Sequence, residues 1–212
     1  MFVQPLFTRR VPGREWGRFV SCVKRLVRTS PEYKKFVGYC KSEWGMNRCS
    51  FLGDVTDDDG AEVEVHHAVL SLHDVVEIVA DHIMSGGVGV TTLTVAHEVL
   101  RAHFAGLIPV APLSRTAHQL VHSGQLAVHA GMLRGDLVGF LKTFNKGITA
   151  EHAAKVRDAV AITWSGAPLH PEGLLDRAAD ELEAPPAARQ LLLEQLAEVL
   201  PALLTAGPGP EF

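Results

Sequence analysis

Two histidine pairs constrain the fold of this chain more than any other feature of its sequence. His66-His67 ends a stretch in which apolar and polar residues alternate, and His118 and His122 lie in a segment with helical character. Residues four apart share one face of a helix, whereas neighbours in a strand point to opposite faces. We therefore expect the later pair to offer two imidazoles to one metal ion, and the doublet to direct one ring toward that ion and the other elsewhere.

Each pair also has an ordinary explanation, because histidine is common at helix and strand ends and is only sometimes a ligand. The two pairs together, in this order, favour a site in which four imidazoles converge with unequal roles. The alternative is a helical interaction protein whose histidines are incidental.

Composition limits the class of protein. With 212 residues, 47% of them hydrophobic, the chain can form one domain with additions or two small domains. No apolar run approaches the ~20 residues that cross a bilayer, and the start of the sequence does not resemble a secretion signal. We therefore expect a cytoplasmic protein that is not secreted and has no membrane partner. Three cysteines without a CxxC pair argue against a disulfide framework and a zinc ribbon.

Charge is unevenly distributed around a net value of -4. Basic residues dominate from Arg9 to Lys35, and acidic residues dominate from Glu151 onward. A basic leading segment can follow phosphates, although it can equally be a solvated helix face. The residues that we expect to contact nucleic acid are Arg18, Lys24, Arg25, Arg28 and Arg115.

Hydrophobic spacing predicts mainly helices. Helices are expected from Trp16 to Val27, from Pro31 toward Trp44, from Leu72 to Met84, from Thr94 to Phe104, and from Ser114 through His122. Later helices are expected at Leu137–Phe144, Thr149–Trp164, Glu172–Glu183 and Ala187–Leu204. The leucines of the last segment could form a homo-oligomer contact or pack on the main body.

Strands are expected at two places. Residues 49–52, the turn signal Asp57-Asp58-Asp59-Gly60 and the alternating residues 61–66 predict a β-hairpin. A second short strand is expected at Leu107–Val110, with Pro112 turning the chain before the next helix. His97-Glu98 and His103 do not match a zinc protease, because their histidines are six positions apart rather than four.

The predicted fold is therefore α+β and mostly helical, with a small β-hairpin. We expect basic N-terminal helices in residues 1–48, a core in residues 49–125 with a helical insertion at 70–106, and a C-terminal helical region in 126–212.

Residues 110–122 and 64–67 carry a resemblance to the HNH, or His-Me finger, endonucleases. Val110-Ala111-Pro112-Leu113-Ser114 followed by the helix to His122 looks like the closing strand and helix of the family's ββα-metal unit, and Glu64-Val65-His66-His67 looks like its opening strand. The fuller arrangement is similar to bacteriophage proteins described as HNH-like.

The resemblance implies a role for each histidine. His66, His118 and His122 would be metal ligands, and His67 would be the general base that takes a proton from water. Three imidazoles with one open position suit zinc or another transition metal better than magnesium, which prefers oxygen ligands. The implied activity is metal-dependent hydrolysis of phosphodiester bonds in nucleic acid, with double-stranded DNA as the expected partner.

Two departures from the family pattern leave an alternative open. No asparagine stands at Pro109 or Val110, where the family places the residue that orients the base, and about fifty residues separate His67 from His118. Asp74, Glu98 or His73 could supply the missing group. The alternative function is a degenerate HNH-like scaffold that acts as a viral structural or binding protein.

Overall fold

A computed structural model of the chain describes residues 6–10, 13–51, 55–124, 126–128 and 132–161. Over these residues the protein is α+β and mostly helical, which confirms the predicted fold class. The helices are α1 (Arg14–Thr29), α2 (Pro31–Glu43), α3 (Leu72–Ser85), α4 (Thr92–Phe104), α5 (Arg115–His122), α6 (Leu137–Thr143) and α7 (Ala150–Ala161). The strands are β1 (Val63–His67) and β2 (Val110–Ser114). The helices predicted at 172–183 and 187–204 lie outside the described residues.

The N-terminal helices form where local signals predicted them. α1 is amphipathic, with Trp16, Val20 and Val27 among the residues of its buried side. Ser30 ends α1 and caps α2, because its hydroxyl accepts a hydrogen bond of 3.0 Å from the backbone N–H of Tyr33. The two helices are therefore joined at a single residue.

The two strands pair with each other across the intervening helices. β1 and β2 are antiparallel, with Val65 opposite Pro112 and His67 opposite Val110. Pro112 thus lies inside a strand instead of turning the chain, which is possible because both strands of a two-stranded sheet are edge strands.

The predicted hairpin is wrong in its pairing. Residues 49–51 do not pair with β1 as a strand. Among its described residues, this region has one isolated β-bridge, between Arg48 and Thr56. The turn signal forms a 3-10 turn at Asp57–Asp59, and the Asp57 carboxylate accepts from the Lys41 ammonium at 3.0 Å and the Val63 N–H at 3.1 Å. These bonds hold the turn against α2. The strand that pairs with β1 is β2.

Helices α3 and α4, which lie between the two strands in the sequence, complete the main hydrophobic core. Each begins with a capping box, formed by Ser71 with Asp74 and by Thr91 with Thr94. Their apolar sides pack with α1. These two helices are consequently part of the main hydrophobic core.

The sheet separates two hydrophobic cores. Val110 of β2 belongs to the main core, whereas Ala111 and Leu113 belong to a smaller core that includes Ala117 of α5. Because side chains alternate along a strand, each residue of β1 faces one of these two environments.

No helix in the described ranges has both the length and the apolar character needed to span a membrane.

Candidate metal centre

Strand alternation separates the two members of the histidine doublet. His66 lies opposite Ala111 in the sheet and so shares the face of the smaller core and of α5. His67 lies opposite Val110 and faces the main core. The doublet therefore sends one ring to each side of the sheet.

Three imidazoles meet on the α5 side. The ring centroids of His66 and His118 are 4.8 Å apart, those of His66 and His122 are 5.2 Å apart, and those of His118 and His122 are 4.5 Å apart. One nitrogen from each ring lies within 4.8 Å of the nitrogens of the other two. Shifts of less than an ångström would place each of these nitrogens ~2.0–2.1 Å from a common zinc ion, which is the usual zinc–imidazole distance.

A carboxylate orients one of these rings. The Nδ1 atom of His118 lies 2.5 Å from a carboxylate oxygen of Glu64, two positions before His66 on the same face of β1. With Nδ1–H donating to Glu64, the Nε2 atom of His118 keeps a lone pair, and it lies 2.9 Å from Nε2 of His122. A carboxylate behind a histidine is the usual second-layer partner of a metal ligand. Sequence reasoning missed Glu64, although its i, i+2 spacing from His66 places both on one strand face.

For two of the three rings the lowered pKa favours the neutral form, which is the form that binds a cation. Burial, followed by the nearby His118 and His122, lowers the pKa of His66 to about 4. Burial also lowers the pKa of His118, although Glu64 partly opposes this shift. Neutral imidazoles retain lone pairs at pH 7, so this cluster could hold a transition-metal ion and leave a coordination position open.

His67 takes part in a different contact. Its Nε2 atom lies 2.9 Å from Nε2 of His103 in α4, and Nδ1 of His103 lies 2.7 Å from the carbonyl oxygen of Val99. The ring of Tyr33 stacks on His67 at a centroid distance of 6.2 Å. Burial, and then His103, Arg28 and His66, hold the pKa of His67 well below its usual range. Three of the four imidazoles expected to converge therefore do so, and the fourth does not.

The groups proposed to replace the missing asparagine have other partners. Asp74 accepts from Lys155 at 2.7 Å, Glu98 pairs with Arg101 at 2.5 Å, and His73 lies 3.6 Å from Glu77. The partner of His67 is instead His103. From the sequence, His103 is considered only as part of a zinc-protease pattern, which it does not match. No local pattern marks it, because α4 reaches His67 only through the tertiary fold.

An open cleft of about 870 Å³ connects the two faces at the edge of β1. It is lined by the three clustered histidines, by His67 and by Arg28 and Tyr33. The other charged residues of its lining each have a polar partner: Lys41 with Asp57, Glu62 with Arg115, Glu64 with His118, and Asp74 with Lys155. Among the described residues Arg28 has no carboxylate partner in an ion pair.

The residues expected to contact nucleic acid lie on two helices, α1 and α5. Arg18, Arg25 and Arg28 are exposed on α1, whereas Lys24 is half-buried. Arg115 is exposed at the start of α5, where its guanidinium lies 3.8 Å from Glu62.

Neither the curated proteins nor the solved structures contain a significant match to this chain. One family model does match, that of the bacteriophage G278-like virion proteins, and it covers residues 6–186. This range spans both strands, the described helices and the three-histidine cluster. Since the match extends over well more than half of the 212 residues, the chain belongs to the family of bacteriophage G278-like virion proteins.

Proposed function

We propose that this chain is a virion component whose ββα unit, similar to that of HNH endonucleases, binds a divalent transition-metal ion through His66, His118 and His122. The observation that carries the proposal is the convergence of three imidazoles, one of them oriented by Glu64. Zinc is the expected ion, because nitrogen ligands and a small coordination number suit it better than magnesium.

A scaffold role is favoured over catalysis by two observations. The matching family is one of virion proteins. The residue that would act as general base, His67, lies on the sheet face opposite the cluster and has Nε2 engaged by His103. Both observations argue against catalysis, and the main effect of a bound ion would then be on stability.

Metal analysis of the full chain tests the metal site. We expect the protein purified with zinc to carry about one ion per chain and to unfold at a higher temperature than the chelated protein, because a ligand that binds only the folded state stabilises it. His118→Ala and His122→Ala should lose both effects. His97→Ala is the control, since His97 is an exposed histidine outside the cluster.

Equal metal content in His118→Ala and His97→Ala would contradict the assigned ligands. A wild-type protein that purifies without metal and gains no stability from zinc or nickel would refute the metal site itself.

A second candidate function is metal-dependent hydrolysis of phosphodiester bonds in nucleic acid, double-stranded DNA first. It is favoured by the open cleft, in which His67 and Arg28 lie together with the three candidate ligands. In this reaction His67 would accept a proton from water, and Arg28 would hold a phosphate oxygen. A bound cation would offset the charge that develops on the phosphate.

Plasmid nicking with and without chelator separates the two functions. Under the hydrolytic hypothesis, His67→Ala abolishes cleavage and leaves bound metal largely intact, whereas His118→Ala weakens both. If metal-loaded wild-type protein does not cleave the plasmid, the result would favour the scaffold role over hydrolysis.

A further inference from the structure

The exposed side of α1 carries a groove of about 710 Å³, lined by Arg14, Gly17, Arg18, Ser21, Cys22 and Arg25. We refer to these six residues as the arginine groove. We propose that the arginine groove binds the phosphate backbone of nucleic acid, and that it does so whether or not a metal ion occupies the histidine cluster.

Helix geometry places the three arginines in one row. Arg14 and Arg18 are four residues apart, and Arg25 follows Arg14 by 25 − 14 = 11 residues, close to three full turns. At about 1.5 Å per residue the row is roughly 16 Å long. One strand of a duplex advances about 3.4 Å along the axis per phosphate, so the row can face several phosphates.

The fold leaves these arginines without carboxylate partners. Within the described part of the chain, other arginines form ion pairs: Arg10 with Glu77 and Asp81, Arg101 with Glu98, and Arg115 with Glu62. None of the three groove arginines does so in the same part of the chain. Acids are not scarce, since the sequence has 24 acidic and 20 basic residues. The unneutralised row is therefore a local feature of α1, and a polyanion is the ligand that it fits.

The chemistry of the groove favours phosphate over other partners. The guanidinium fork pairs with phosphate through two parallel hydrogen bonds. The other lining residues are Gly17, Ser21 and Cys22, and a methyl group built at Gly17 would meet no atom within 4 Å, so a nucleic acid backbone can approach closely. A protein interface would need an apolar centre, which these residues do not supply.

A membrane surface fits less well. Helices that lie on membranes insert an apolar side into the lipid. The apolar side of α1, which includes Trp16, Phe19 and Val23, is buried in the main core.

The structure also changes which residues belong to this surface. Arg14 joins Arg18 and Arg25, whereas Lys24 does not line the groove and is half-buried. Arg28, nearly one turn beyond Arg25, lines the cleft of the candidate metal centre. A nucleic acid strand that follows the arginine groove would thus be led toward that cleft.

The salt dependence of nucleic acid binding tests the proposal. The full chain is titrated, with chelator present, against a fluorescent 20-bp duplex over a series of NaCl concentrations. Each phosphate contact contributes about 0.9 to the slope of log affinity against log salt. The double variant Arg18→Gln/Arg25→Gln should therefore reduce the slope by about 1.8.

Two controls separate the groove from bulk charge. Lys142→Gln/Lys146→Gln removes the same net charge from exposed positions outside α1, and Lys24→Gln removes a charge from α1 outside the groove. Neither control should change the slope appreciably. Arg14→Gln, a single change at an exposed position, provides an independent groove variant with an expected loss of about 0.9.

Three results would overturn the proposal. These are an absence of duplex binding by the wild-type chain at low salt, equal slopes in the arginine and lysine double variants, and equally strong binding of polyglutamate, which would indicate an acidic protein partner. Because chelator is present throughout, none of these results depends on the metal site.

Discussion

His67 and His103 are joined by a hydrogen bond of 2.9 Å between their Nε2 atoms. The Nδ1 atom of His103 lies 2.7 Å from the carbonyl oxygen of Val99, an acceptor, so this nitrogen carries the proton. Nε2 of His103 must then accept, and Nε2 of His67 must donate. The pair thus ties β1 to α4 with both rings neutral.

Protonation of this pair should make the protein less stable in acid. Burial lowers the pKa of His103 from 6.5 to about 4. Below pH 6.5 the His103 imidazole binds a proton in the unfolded chain but stays neutral in the folded chain. Its contribution to stability is therefore complete above pH 6.5 and is lost as the pH falls toward 4. The loss from this residue is on the order of 3 kcal/mol. Urea denaturation at pH 7 and at pH 4.5 measures it.

His103→Gln is the variant that isolates this contribution. It should be less stable than wild type at pH 7, because a buried hydrogen bond is disturbed, but its free energy of unfolding should fall less between pH 7 and pH 4.5. An unchanged difference between the two pH values would assign the acid sensitivity to other groups.

The carboxylate of Glu64 should tune the affinity of the candidate metal centre. Glu64→Gln removes the negative charge behind His118 and leaves the three imidazoles in place. Loss of such a second-layer partner typically weakens metal binding about 10–100-fold. Calorimetric titration with zinc measures the change.

Glu62→Gln is the matched control for that experiment. Glu62 is exposed, and its partner is Arg115 at 3.8 Å rather than a member of the cluster. We expect zinc affinity close to that of wild type. If Glu62→Gln and Glu64→Gln weakened zinc binding equally, the effect would come from overall charge and not from the orientation of His118.

Two glycines should respond in opposite ways to substitution by alanine. A Cβ at Gly147 would collide with the backbone of α3 at Ile78, so Gly147→Ala should destabilise the protein by roughly 1–3 kcal/mol. A Cβ at Gly38 in α2 would meet nothing within 4 Å, so Gly38→Ala should stabilise the helix by about 0.5–1 kcal/mol.

Thermal unfolding followed by circular dichroism measures both changes. A Gly147→Ala variant as stable as wild type would show that the turn at Asn145–Gly147 can move away from α3 at little cost.

The features of the fold that could be predicted are those with local causes. The amphipathic spacing of α1 is visible in a short stretch of sequence and appears as expected, and the caps at Ser30 and Ser114 likewise have causes within a few residues. The strand pairing is different, because Val63–His67 and Val110–Ser114 are brought together by two intervening helices. A nearby hairpin was the simpler expectation, but Asp57 is bound to Lys41 and Val63 instead.

The same distinction between local causes and tertiary contacts applies to the candidate site. The four-residue spacing of His118 and His122 and the alternation of His66 with His67 follow from helix and strand geometry. The contacts of Glu64 and His103 depend on the tertiary fold, which packs β1 against α5 on one side and against α4 on the other. Such partners cannot be assigned from spacing alone.

An ion held by the histidine cluster would link two distant parts of the folded chain. His66 and His118 are 118 − 66 = 52 positions apart, and the three cysteines form no covalent link. In the denatured chain these histidines could meet around an ion only by closing a loop of about fifty residues, which is entropically costly, so the ion would bind the folded chain. The ion would therefore act as a cross-link of the native state alone, and a chelator could remove it.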